Sequence, residues 1–342
     1  MTKYKFILIN KNSGFTLVEI MVAIIVFALI IPGVVVLLMT VNKGFTAYEA
    51  ANQLKKNNQE TLNRIFIKLT GAKRIFQNNS SDNAYLARIM LSSCPAVLPG
   101  STLPTIEETG TLTPGTTSFI AASVGNSIFF ANNDSTQILY NIADSGSSTH
   151  TVYIDVYRFY YYYLTSEYPK PIYDKPSYAL VEYRSQSYAD YNQIQNISDT
   201  IKRKNTVSAL CTNGITFAWN VSATDVSTAF STMSATGLIQ PSPNHQIPET
   251  EHKILTNILT GITGGGYRYG ISPNSSGWAK APKIVPQYAV ANNDFPGGFE
   301  VVVTGPSAGR KILIRSVLVA QGSMPNIIGD EQLIVCSARD LW

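Results

Sequence analysis

Glu19 is the one ionisable side chain in the otherwise apolar stretch from Phe15 to Val41. A carboxylate on a helix in lipid costs roughly 2.5–3.5 kcal/mol at the bilayer centre and less near its surface, so such a group points to function by default. The chemistry open to it is pairing with a positive charge, which neutralises it only when the partner arrives. Upstream lie Lys3, Lys5 and Lys11 with no acid, and then Gly14. A second group of reactive residues spans Asn244 to His252, where His245 and His252 stand with Glu249 and Glu251. Zinc binding is conceivable there, but the spacing matches no usual ligand pattern and the Pro and Ser around it predict a solvated loop, so no metal is expected. Gly264-Gly265-Gly266 lacks the Lys-Ser/Thr of a phosphate loop and reads as a flexible turn. With no Gly-x-Ser-x-Gly elbow and no carboxylate pair that can be singled out, neither an enzyme nor a cofactor is expected.

The elements that must position Glu19 follow from hydropathy. Phe15 to Val41 exceeds the roughly 20 residues that cross a bilayer as a helix. The lysines before it hold that end in the cytoplasm and send the rest of the chain outside. A secretory signal is cut beyond its apolar core, whereas here the basic leader and Gly14 lie before it, so the anchor is expected to be kept. The helical pattern continues through Phe45, Tyr48, Ala51, Leu54, Leu62, Ile65, Phe66 and Leu69, at mostly three- and four-residue intervals. One helix from Phe15 to about Thr70 is predicted, on the order of 80 Å long. Pro32 and Gly33 sit inside it and predict a kink, and Gly71 reads as its stop.

Lys11-Asn12-Ser13-Gly14-Phe15-Thr16-Leu17-Val18-Glu19-Ile20, followed at once by the apolar stretch, resembles a type IV prepilin. The resemblance implies that prepilin peptidase cuts after Gly14 on the cytoplasmic side and methylates the new terminus at Phe15. It also implies that Glu19, fifth in the mature chain, pairs with the terminal amine of a neighbouring subunit and sets the stagger between neighbours. The implied partners are prepilin peptidase, other pilin or pseudopilin subunits, an inner-membrane assembly platform, and the lipid bilayer before assembly. The protein would be single-pass in the cytoplasmic membrane and then part of a pilus or pseudopilus.

The remaining composition agrees with an exported, β-rich head. The formal charge is +4, and three of those charges are leader lysines, so no basic surface argues for nucleic acid. Only 14% of residues are charged, while tyrosine numbers 19. Loop signals dominate residues 72–150, with short strands expected over Ser118–Ala122, Ser127–Ala131 and Gln137–Ile142. The strongest β signal is Val152–Leu164, with Tyr178–Arg184 as its antiparallel partner. Asn213-Gly214 leads into a strand over Ile215–Val221, and Gly298–Thr304 with Lys311–Val319 reads as a hairpin. In Tyr157-Arg158-Phe159-Tyr160-Tyr161-Tyr162-Tyr163, alternate residues of a strand face opposite sides. One aromatic row is expected against the long helix and the other under a loop.

The order of these segments is similar to that of PilW-like minor pilins and J-type pseudopilins. It implies an α+β fold in which a long N-terminal helix packs on an antiparallel sheet. The divisions are a leader at 1–14, a transmembrane and assembly helix at 15–41, an amphipathic continuation at 42–71 and a β-rich head with long loops at 72–342. The head's length favours a minor pilin that primes or caps a type IV pilus. The alternatives are a type II secretion pseudopilin, or a tip adhesin or DNA-uptake module on the same scaffold, with residues 94–115 and 222–296 as contact loops. Cys94, Cys211 and Cys336 allow one disulfide in an export compartment, and three pairings are open. The resemblance favours Cys211 with Cys336, because the family often staples its C-terminal region.

Overall fold

The computed structural model describes residues 16–108, 124–167, 177–256, 298–321 and 327–338, with the short pieces 259–260, 268–269 and 283–284. The expected strand at Ser118–Ala122 and the turn at Gly264–Gly266 lie outside them.

The chain opens with α1 (Leu17–Thr70) and then passes through β1 (Ala72–Phe76), α2 (Ser80–Leu86), β2 (Ile106–Glu107), β3 (Ile128–Ala143), β4 (Thr149–Thr165) and β5 (Ser177–Ser185). Next come β6 (Tyr188–Asp190), α3 (Tyr191–Gln195), α4 (Thr200–Thr212), β7 (Phe217–Trp219), α5 (Val226–Ala229), β8 (Phe230–Met233), β9 (Ile239–Pro241) and β10 (Glu249–Ile254). The last strands are β11 (Leu259–Thr260), β12 (Arg268–Tyr269), β13 (Lys283–Ile284), β14 (Phe299–Thr304), β15 (Arg310–Gln321) and β16 (Ile327–Ala338). Among the described residues, β12 and β13 pair with each other and the other strands join in one 14-stranded sheet. Most pairings are antiparallel, and the class is α+β.

Residues 1–50 and 51–342 form two compact units. The described part of the first is the apolar half of α1, which continues through Pro32 and Gly33. Pro32 offers no N–H to the carbonyl of Ala28, one turn earlier. In the second unit, Leu54, Leu62, Ile65 and Leu69 are buried against Tyr160, Tyr162 and Leu164 of β4 and against β14 and β15. Full burial of each such aliphatic side chain contributes roughly 1.5–3 kcal/mol. Phe45 and Tyr48, expected in the same stripe, are 58% and 66% exposed. Gly71 ends the helix where the chain passes Asn132 so closely that a Cβ would lie 2.3 Å from its Oδ1.

β4 is the spine of the sheet. It pairs with β3 along one edge and with β5 and β6 along the other. Tyr160 and Tyr162 face α1, while Phe159, Tyr161 and Tyr163 enter a second core with Phe76, Phe129, Tyr183, Tyr188, Trp219 and Phe230. The two-faced aromatic row is as the alternation predicts, and much of its second cover comes from α2, α5 and the turns beside them. The phenol hydroxyls are satisfied inside: Tyr157 donates to Asp190 (2.8 Å), Tyr162 to Glu182 (2.8 Å) and Tyr163 to the Pro95 carbonyl (2.7 Å). Burial pushes the Tyr162 phenol well above its ordinary range, and the Glu182 carboxylate adds to that. The row is therefore core, held by packing and hydrogen bonds.

A third core lies under the far part of the β3–β4 hairpin, where Val207 and Leu210 of α4 meet Leu139, Ile142, Val152 and Ile154. Asn213-Gly214 ends α4. Gly214 adopts φ +83°, its N–H donates to Cys211 O (3.0 Å), and Ile215 N–H donates to Leu210 O (3.0 Å). These two bonds form the Schellman motif. The strand after it is shorter than expected, Phe217–Trp219. The two short strands expected at 127–131 and 137–142 are one continuous β3.

The disulfide expected between Cys211 and Cys336 is not formed, and all three cysteines are free thiols. Cys211 borders the α4 core and Cys336 is buried in the α1-facing core, so the two belong to separate clusters.

Candidate functional site

Gly14 and Phe15 lie outside the described residues, which begin one position later at Thr16. There the start of α1 is fixed by a reciprocal cap. The Thr16 backbone N–H donates to the Glu19 carboxylate (2.9 Å), the Thr16 hydroxyl donates to the same oxygen (3.0 Å), and Glu19 N–H donates to the Thr16 hydroxyl (3.3 Å). Thr-x-x-Glu at this spacing is a capping box, which satisfies amides that have no partner within the helix. The signal was present as Thr16-Leu17-Val18-Glu19 but is easily hidden by the apolar run behind it. It gives Glu19 a partner within its own chain, one residue from Phe15. Among the described residues α1 is the one helix long and apolar enough to cross a membrane, and that apolar window is not buried.

The histidines are not arranged as the sequence suggests. His245 is not in a solvated loop. It is 9% exposed, with Nε2 3.0 Å from the Tyr188 hydroxyl and its ring 4.4 Å from that of Phe217 and 4.9 Å from that of Phe230. Burial, helped by the charge of Arg88, lowers its pKa to about 4, so it is a neutral core residue. His252 lies on β10, where its Nδ1 is 2.6 Å from Glu249. The other oxygen of Glu249 accepts from the Cys94 thiol at 3.0 Å. Burial, and then the Glu249 carboxylate, push that thiol up to about 12, which keeps it a donor. Donor atoms of Cys94, Glu249 and His252 all lie within 4.8 Å of one another. Sequence reasoning grouped His245 with His252, whereas the fold separates them and brings in Cys94.

A groove of about 600 Å³ runs between α1 and β5, lined by Glu60, Arg64, Lys68, Glu182, Arg184 and Lys253. It is open and charged, unlike the mostly apolar pockets that enclose small molecules.

No curated protein and no solved structure matches the chain. Residues 9–31, which include Gly14, Phe15 and Glu19, match the family model described as the prokaryotic N-terminal methylation motif, and that match supports a type IV pilin-like or pseudopilin-like subunit.

Proposed function

We propose that this protein is a minor pilin, a low-abundance filament subunit that primes or caps type IV pilus assembly after cleavage between Gly14 and Phe15. The observation that carries the reading is the methylation motif at residues 9–31 fused directly to an apolar helix with Glu19 in its first turn. Before assembly the apolar half of α1 anchors the subunit in the cytoplasmic membrane, with the leader inside and the head outside. Prepilin peptidase removes residues 1–14 and methylates Phe15. The subunit then leaves the bilayer with other pilins through the assembly platform. Within its own chain the Glu19 carboxylate is held by Thr16. In the filament it turns to the amine of a neighbour's first residue, a stronger, charge-assisted partner. The size of the head supports a minor role, because a bulky subunit is hard to repeat in a tight helical array.

The test is intact-mass and N-terminal peptide analysis of the protein from host membranes, with quantification in sheared filaments. The expected result is a chain starting at methylated Phe15, present at a small fraction of the main subunit. A chain still starting at Met1, while the peptidase processes another substrate, overturns the reading. A processed chain that makes up most of the filament overturns the minor role.

A further inference from the structure

We propose that Cys94, Glu249 and His252 form a zinc-binding site that fastens the 91–95 turn to strand β10. Zinc takes mixed sulfur, nitrogen and oxygen donors in tetrahedral sites, and three protein ligands leave one vertex for water. The three donors here come from two segments far apart in sequence and converge on one point.

The convergence is built by the backbone. In a regular strand, residues three apart face opposite sides, and Glu249 and His252 would diverge. β10 carries a bulge. Glu249 pairs with Ser185 and Glu251 with Arg184, so one extra residue, Thr250, is inserted opposite β5. The bulge turns Glu249 and His252 to the same side, the re-aiming that bulges provide beside functional sites. The turn carrying Cys94 is fixed independently. Met90 N–H donates to Ile247 O (2.9 Å), Ile247 N–H to Arg88 O (2.7 Å), Cys94 N–H to Leu91 O (3.0 Å) and Tyr163 to Pro95 O (2.7 Å). Ligands pre-placed in this way are ordered before the ion arrives, which favours affinity.

The proton balance is simple. Without metal, Glu249 accepts from the thiol and from His252 Nδ1. Zinc entering between them displaces the thiol proton to solvent, and His252 ligates through Nδ1 with its proton carried on Nε2. The loaded site holds Zn²⁺, a thiolate and a carboxylate and is neutral, which suits a partly buried position.

The experiment is zinc titration of the full-length protein, purified in detergent and stripped with chelator, followed by calorimetry. Cobalt substitution is the second readout, since cobalt bound to thiolate gives a charge-transfer absorption band. One zinc per chain with submicromolar Kd is expected, together with that band. Cys94→Ser and His252→Gln should weaken binding at least tenfold, while Cys211→Ser leaves both readouts unchanged. Absence of saturable binding overturns the proposal, as does binding undiminished in Cys94→Ser and His252→Gln. If those two variants fail to fold, the cobalt band in the Cys211→Ser protein decides alone. Its presence places the metal on Cys94, because Cys336 is buried in the helix-facing core, and its absence overturns the site.

Discussion

Arg64 on α1 grips Glu182 on β5 at two points, with Nε to one carboxylate oxygen at 2.6 Å and Nη2 to the other at 2.5 Å. The Glu182 side chain is 3% exposed and also accepts from Tyr162, so the ion pair lies at the seam between helix and sheet. Arg64→Met leaves a buried carboxylate without its counter-charge and should cost about 3 kcal/mol. Glu182→Gln keeps an acceptor for Tyr162 and leaves Arg64 partly in water, so it should cost less, about 1–2 kcal/mol. Urea unfolding of the two variants checks the order. Equal losses would mean that the charge of Glu182 is not what Arg64 stabilises.

The start of α1 separates two roles of Glu19. Glu19→Ala loses both the cap and the charge, while Glu19→Gln keeps an amide oxygen able to take the Thr16 N–H. Both variants should be processed at Gly14 like the parent, and both should be scarce in sheared filaments if the charge drives assembly. Wild-type incorporation of Glu19→Gln would assign the residue to capping instead.

His245 supplies a pH dependence. Its folded pKa of about 4 lies below the ordinary value of 6.5, so between those values the unfolded chain binds more protons. Its contribution is complete above about pH 6.5, is lost as pH falls towards 4, and does not change further below that. The loss is roughly 3–4 kcal/mol at 1.36 kcal/mol per pKa unit. His245→Gln retains a partner for Tyr188 but cannot titrate, and its melting temperature should fall less steeply across this window. Parallel curves for the two proteins would exclude His245 as the titrating group.

The two ends of α4 give local tests. Asp199 caps the helix by accepting from Lys202 N–H at 2.7 Å. Asp199→Ala should cost about 1 kcal/mol. Gly214→Ala meets no atom within 4 Å, so its cost, again about 1 kcal/mol, is that of the left-handed backbone alone. The losses should add in the double variant, because the sites share no partner. Hydrogen exchange along α4 should rise in each.

Much of this architecture was legible because strong patterns coincide with strong burial. The apolar run with its continuing stripe became α1, the aromatic-rich stretch became β4, and Gly305-Pro306 marked the β14–β15 turn. α4 escaped because few of its residues are apolar and only part of its face is buried, although Asp199 and Asn213-Gly214 bracketed it with cap signals. β3 was divided in two by its polar centre, Asn132 to Thr136. There the side chains pair across the sheet, Asp134 with Arg158 at 2.8 Å and Thr136 with Asp155 at 2.7 Å, and the strand continues. The Cys94, Glu249 and His252 cluster was not legible. It depends on a bulge and on contact between segments about 155 residues apart, neither of which leaves a local mark.

Asn58 adds an order of events to the subunit's history. Its side-chain amide reaches the carbonyl of Ser316 on β15 (3.2 Å) and both the carbonyl (3.2 Å) and carboxylate (2.9 Å) of Asp330 on β16. The helix leaves the ribosome early, and the strands it binds follow some 270 residues later. Contacts of such separation form slowly, and until they do, the apolar stripe of α1 lacks the cover that β14, β15 and β16 add to that of β4. The head is thus most exposed to proteases and to mispairing until β15 and β16 have joined it. A chaperone that shields this stripe would act in that interval.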